Sequence, residues 1–159
     1  MAYITRIFSS ASHFLNIPHS FHHKPVLFQQ SATMTNIVTQ VLASSVAIAD
    51  KAGEIVRDIM KKGDLGIVEK TGKDDLQTQA DRSAQNCIIA SLAKQFPSLT
   101  VVGEEGEQDM SGVPEEWIVT TTDTEAAKIT CPDNYKEVSM ADLTVWVDPL
   151  DGTKEYTQV

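Results

Sequence analysis

From Ile37 through Val41, Leu42, Val46, Ala49, Ala52, Ile55 and Val56 to Ile59, apolar residues recur at three- and four-residue steps. That spacing predicts one long amphipathic helix. Lys61 and Lys62 suit its C-terminal dipole, and Gly63 is a natural stop. Leu65 to Lys70 then predicts a short strand, with Asp75 to Thr78 as its partner across a turn at Gly72. Thr78 caps a second helix with Ala84, Cys87, Ile88, Leu92 and Phe96 as its apolar stripe, closed by Pro97. Thr100 to Val102 reads as a buried strand leading into Gly103, Glu104 and Glu105. Residues 108–142 are polar and poorly periodic, and predict loop. Leu143 to Val147 predicts a second buried strand, leading into Asp148-Pro149-Leu150-Asp151-Gly152-Thr153. Helices and strands so mixed predict an α/β (mixed α+β) fold in helix and sheet layers.

Before the first helix the chain changes character. Met1 to Ala49 contains no Asp or Glu, and all four histidines (His13, His19, His22, His23) fall in the first 23 residues. Up to Thr33 the only formal charges are Arg6 and Lys24, among several serines and with Pro18 and Pro25 as helix breakers. Residues 1–33 are therefore expected to be an N-terminal extension, disordered or targeting, with the domain over 34–159 and Met34 as a candidate start. An acid-free, Ser-rich leader is compatible with mitochondrial targeting, but two basic residues are few for a transit peptide, and a cytoplasmic location is the expectation. A solvated loop accounts for His22-His23, which have no nearby Cys or carboxylate to complete a metal site.

The chain carries 13 Lys+Arg against 22 Asp+Glu, a net charge of -9. With the two basic residues of the extension removed, 11 basic residues face 22 acidic ones, which leaves -11 on the rest. That balance argues against a binder of nucleic-acid backbones, which would need a basic face, and no apolar run approaches the roughly 18 residues of a membrane span. Cys87 and Cys131 are too few for a disulfide scaffold and fit a reducing compartment. Cys87 lies on an apolar helical stripe, where a small core residue is expected. Cys131 stands in a loop with no histidine beside it to activate the thiol, and Trp146 is expected in the core.

The candidate chemistry lies at the ends of the two buried strands. Asp148-Pro149-Leu150-Asp151-Gly152-Thr153 sets two carboxylates three residues apart in a tight turn, with Pro149 fixing φ. Both carboxylates and the carbonyl between them can converge on one point, an all-oxygen environment suited to Mg²⁺. Glu104 and Glu105 offer a second acidic pair at the end of the other strand. Four acids gathered at strand ends repel one another unless a cation neutralises them.

Gly103-Glu104-Glu105 together with Trp146 to Thr153 resembles the inositol monophosphatase superfamily of metal-dependent, lithium-sensitive phosphatases. Asp64-Leu65-Gly66-Ile67-Val68-Glu69-Lys70-Thr71 and Asp75 to Arg82 are similar to its nucleotidase branch. Thr153-Lys154-Glu155-Tyr156 supports that branch, since the inositol-specific members usually carry an Asn and an aromatic there. The resemblance implies the sugar-phosphatase/inositol monophosphatase-like fold and two or more Mg²⁺ ions in a complete enzyme. It implies a small phosphorylated nucleotide as substrate, adenosine 3',5'-bisphosphate or a related sulfonucleotide, which loses its 3'-phosphate. Neither a nucleic acid nor a membrane is an expected partner. Glu104, Asp148, Asp151 and the Leu150 carbonyl would hold metal, with Glu105 a neighbour. Asp81 and Thr153 would orient and deprotonate the attacking water, and Lys70 is either a phosphate contact or a solvated strand-end lysine.

The resemblance covers about Thr35 to Gln158, is weak over residues 107–142, and is absent from the extension. A complete member of the superfamily continues through a second half that supplies another metal-ligating aspartate and the nucleotide surface. The expectation is therefore an incomplete phosphatase domain with impaired hydrolysis. An inositol monophosphate phosphatase and a non-catalytic short isoform or metal-binding fragment are the alternatives.

Overall fold

The computed structural model describes residues 3–9, 26–27, 36–63, 66–69, 76–106, 110–151 and 153. In chain order its elements are β1 (Tyr3–Ser9), β2 (Val26–Leu27), α1 (Ile37–Lys62), β3 (Val68–Glu69), β4 (Leu76–Gln77), α2 (Gln79–Gln95), β5 (Thr100–Gly103), β6 (Thr121–Thr122) and β7 (Leu143–Asp148).

Both helices follow their apolar stripes. The Asn36 side chain starts α1 by accepting from the Val38 N–H at 2.8 Å, and its amide donates to the Lys136 carbonyl at 2.8 Å. One cap thus satisfies an orphan helix donor and ties the helix start to a distant loop. Gly63 ends α1 in the left-handed region at φ 77°, where a side chain would be strained. Ala84, Cys87, Ile88 and Leu92 of α2 are buried against Val41, Ile48, Ala52 and Val56 of α1. The helix–helix layer lies over a sheet face made by Leu143, Val145 and Val147, each at most 2% exposed.

The central sheet has the order β1-β7-β5. The β5–β7 pair is parallel, with Val101 opposite Val145 and Gly103 opposite Val147. The β1–β7 pair is antiparallel. Alternation along β7 turns Leu143, Val145 and Val147 inward and sends Trp146 to the opposite face, where it is 49% exposed. The core position expected for Trp146 is therefore corrected. Its indole stands on an open face, with Val102 as its register partner on β5.

Residues 66–77 contain the expected hairpin, with Val68 opposite Gln77 and Glu69 opposite Leu76; residues 70–75, including Lys70 and Gly72, lie outside the described residues. Residues 110–142 are loop tightened by five short 3-10 turns and the two-residue strand β6. Polar groups of α2 fasten this segment: Ser91 Oγ accepts from the Val119 N–H at 2.9 Å, and Gln95 Nε2 donates to the Val119 carbonyl at 3.0 Å. Within the stretch 1–33, β1 pairs with β7 and β2 with β6, while the four histidines lie outside the described residues. No helix among the described residues is long and apolar enough to cross a membrane.

Candidate functional site

Asp81 and Thr78 sit where α2 begins. Thr78 is the N-cap and Asp81 the third helical residue, and together they form a capping box. The Thr78 hydroxyl accepts from the Ala80 N–H at 3.1 Å. In return Asp81 Oδ2 accepts the Thr78 N–H at 2.7 Å and the Thr78 hydroxyl at 2.5 Å. Its negative charge also suits the positive end of the helix. All of that is helix chemistry, and it engages one carboxylate oxygen.

The other oxygen faces the second motif. Thr153 Oγ1 donates to Asp81 Oδ1 at 3.0 Å, across 72 residues of sequence, and lies 3.1 Å from the Leu150 carbonyl. One hydroxyl proton has two acceptors there, the Asp81 carboxylate and the Leu150 carbonyl. Asp81 is 1% exposed and Thr153 half-buried. Because the capping box fixes Oδ2, Oδ1 has a defined direction, which a base working through a hydroxyl requires.

The strand ends come together through register. Gly103 is opposite Val147 in the parallel pair, and the Glu104 N–H extends the ladder by donating to the Val147 carbonyl at 2.9 Å. Glu104 therefore follows β5 beside the point where Asp148 ends β7. The Leu150 side chain is buried, and so is Pro149, which anchors the turn carrying Asp151. Glu104 and Asp151 are exposed, Asp148 and Glu105 half-buried. Gly152 and residues 154–159 lie outside the described residues.

Carboxylates and a carbonyl at two adjacent strand ends are the donor chemistry of a hard divalent cation. The three carboxylates are neighbours without converging: among the described residues no three of His, Cys, Asp and Glu stand close enough to hold a metal ion. The sequence-derived residues thus fall into one preassembled pair, Asp81 with Thr153, and one looser rim of Glu104, Asp148, Leu150 and Asp151.

Cys87 is buried, with its thiol donating to the Trp117 carbonyl at 3.1 Å, and burial pushes its pKa up to about 11. Cys131 is also buried, which raises its pKa, so neither thiol is poised as a nucleophile. An open hollow of about 670 Å³ beside the start of α1 is lined by Asn36, Thr39, Cys131, Lys136 and Ser139 and includes no residue of the candidate site. One buried residue next to the site, Gln85, escapes a reading based on apolar periodicity; its spacing of four from Asp81 on one helix was the available signal.

Residues 37–159 match the inositol monophosphatase family. The chain is 50% identical over 127 residues to 3'(2'),5'-bisphosphate nucleotidase 1 of Homo sapiens, which covers 80% of this chain and 41% of that protein. It is 32% identical over 120 residues to the protein of the same name from Dictyostelium discoideum (76% of this chain, 38% of that one). An inositol monophosphatase of Mesembryanthemum crystallinum is 31% identical over 122 residues, 75% of this chain and 34% of that protein. The chain spans about two fifths of the length of the nucleotidases it matches. A match over residues 37–159, with both acidic strand ends inside it, means that this chain belongs to the inositol monophosphatase family.

Proposed function

We propose that this chain is part of a Mg²⁺-dependent phosphatase that removes the 3'-phosphate of adenosine 3',5'-bisphosphate and related sulfonucleotides. The observation that carries the reading is the Thr153–Asp81 pair, held at 3.0 Å from two motifs 72 residues apart. Capping explains why Asp81 stands on α2, but it gives no reason for a second oxygen aimed at a threonine beside an acidic turn.

Glu104, Asp148, Asp151 and the Leu150 carbonyl would hold the cation. When bound, Mg²⁺ supplies charge compensation for the phosphate and lowers the pKa of a water. Thr153 orients that water through its hydroxyl oxygen, and Asp81 draws the hydroxyl proton toward Oδ1 as the water gives up its own. The water oxygen bonds to phosphorus, the bond from phosphorus to the ribose 3'-oxygen breaks, and that oxygen takes a proton from solvent while the proton drawn toward Asp81 returns to solvent. The products are adenosine 5'-phosphate and inorganic phosphate. Substrate choice rests on the identity to the nucleotidases, 50% for the human protein against 31% for the inositol phosphatase. Two free cysteines support a reducing compartment, with the cytoplasm as the proposed location.

The test is phosphate release from adenosine 3',5'-bisphosphate and from inositol 1-phosphate, with and without Mg²⁺, by the full-length enzyme of which this chain is proposed to be part. Mg²⁺-dependent release from the nucleotide, lost in Thr153→Val, is expected. Release from inositol 1-phosphate alone would replace the substrate assignment, and metal-independent release would overturn the mechanism.

A further inference from the structure

Gln85 is fully buried on α2, one turn beyond Asp81. Both ends of its amide go to the turn after β5. The Glu105 N–H donates to Gln85 Oε1 at 3.0 Å, and Gln85 Nε2 donates to the Gly106 carbonyl at 3.0 Å. On the other side of the same turn the Glu104 N–H donates to the Val147 carbonyl at 2.9 Å. The backbone that presents Glu104 is thus clamped between β7 and the helix that presents Asp81.

Gly103 belongs to this clamp. A Cβ at that position would lie 2.4 Å from both Cδ and Oε1 of Gln85, far inside van der Waals contact. The side chain is excluded by the close approach of the Gln85 amide, and that amide cannot swing aside without leaving both of its partners. Gly106, at φ 72°, lets the chain turn away immediately afterwards.

We propose that Gln85 is a positioning residue for the cation site: it fixes the Gly103–Gly106 turn, and through it the direction of Glu104, relative to Asp81. This rests on the reading of Glu104 as a cation ligand. Groups that orient metal-ligating carboxylates typically change metal affinity about 10–100-fold when removed, although they never touch the ion. Gln85 spans the gap between the water-activating pair and the rim, so it couples the two halves of the site.

Gln85→Met keeps the volume of the side chain and removes both hydrogen bonds. Gly103→Ala leaves Gln85 in place and forces its amide out of the clamp. Ser91→Ala on the same helix removes the hydrogen bond to Val119, away from the Gly103–Gly106 turn, and serves as the stability control. Two quantities are read on the 159-residue chain: amide exchange at Glu105 by NMR, and the Mn²⁺ dissociation constant by calorimetry. Exchange at Glu105 should accelerate about ten-fold in both clamp variants, the equivalent of one lost hydrogen bond. Mn²⁺ binding should weaken at least about ten-fold in both and stay unchanged in Ser91→Ala. Unchanged Glu105 exchange in both clamp variants overturns the clamp. Accelerated exchange with Mn²⁺ affinity equal to the parent overturns the positioning role. A parent chain that binds no Mn²⁺ refutes the cation reading itself, and Glu105 exchange still decides whether Gln85 holds the turn.

Discussion

Replacing Thr78 by Val isolates the junction between helix capping and the candidate base. The two side chains have nearly the same shape, so the fully buried site stays filled. What disappears is the hydroxyl, which accepts from the Ala80 and Asp81 N–H groups and donates to Asp81 Oδ2. Loss of an N-cap acceptor costs about 1 kcal/mol. Loss of a hydrogen bond to a charged, buried acceptor costs about 1.5–3 kcal/mol. The two losses share one oxygen, so their sum is an upper figure, and about 2–4 kcal/mol is expected. For a chain of this size that lowers Tm by roughly 6–12 °C. Urea denaturation followed by far-UV circular dichroism measures it, with Lys51→Ala as the control. Lys51 pairs with Glu54 at 3.2 Å on the exposed face of α1, and its loss should cost under about 0.5 kcal/mol. The Thr78 N–H still holds Asp81 Oδ2 at 2.7 Å, so the variant should fold and keep Asp81 in place. A Thr78→Val loss no larger than that of Lys51→Ala would refute the account of Asp81 as a carboxylate fixed by its own cap.

Three further outcomes follow from the same contacts. Leu92 is fully buried between the helices, and Leu92→Ala should destabilise the fold by about 2–5 kcal/mol in the same denaturation assay. Thr153→Val should leave stability within about 1 kcal/mol, since it removes a half-buried hydroxyl, and should lower phosphate release about 10²–10⁴-fold. The folded pKa of Cys87 is raised from 9.0 to about 11, chiefly by burial, so the folded state holds its proton through a range in which the unfolded chain has lost it. Its contribution is complete below pH 9 and is lost as pH rises toward 11. Relative to Cys87→Ala, unfolding free energy should therefore fall over that window, by a few kcal/mol at most. A parallel pH dependence of the two proteins would contradict the burial of the thiol.

Both helices are legible in the sequence because a helix that buries one stripe must repeat its apolar residues at its own period. Gly63 and Thr78 mark ends because the backbone needs a left-handed residue at one and a side-chain acceptor at the other. Strand neighbours are a different matter. That Glu104 comes to lie beside Asp148 depends on β5 and β7 being parallel partners in one register, and no local feature encodes that. Trp146 shows the limit in a single strand. Alternation says that it points away from Val145 and Val147, but only the helices packed on one face decide which side is the core.

Asp81 is readable as a cap from its spacing after Thr78, whereas its contact with Thr153 requires the segment after β7 to fold back onto α2. Gln85 is invisible to periodicity for a further reason. A buried polar residue is tolerated only because two backbone groups of a distant turn complete its amide, and those partners are 20 and 21 residues away.

Whether the two acidic strand ends form one divalent-cation site, as proposed, is decided by Mg²⁺ calorimetry on the parent chain, Asp148→Asn and Glu104→Gln. Asp148 leaves β7 and Glu104 leaves β5, so one shared site requires both substitutions to weaken the same binding event, each by at least about ten-fold. Binding that survives both substitutions unchanged, or that responds to Asp148→Asn alone, would contradict it.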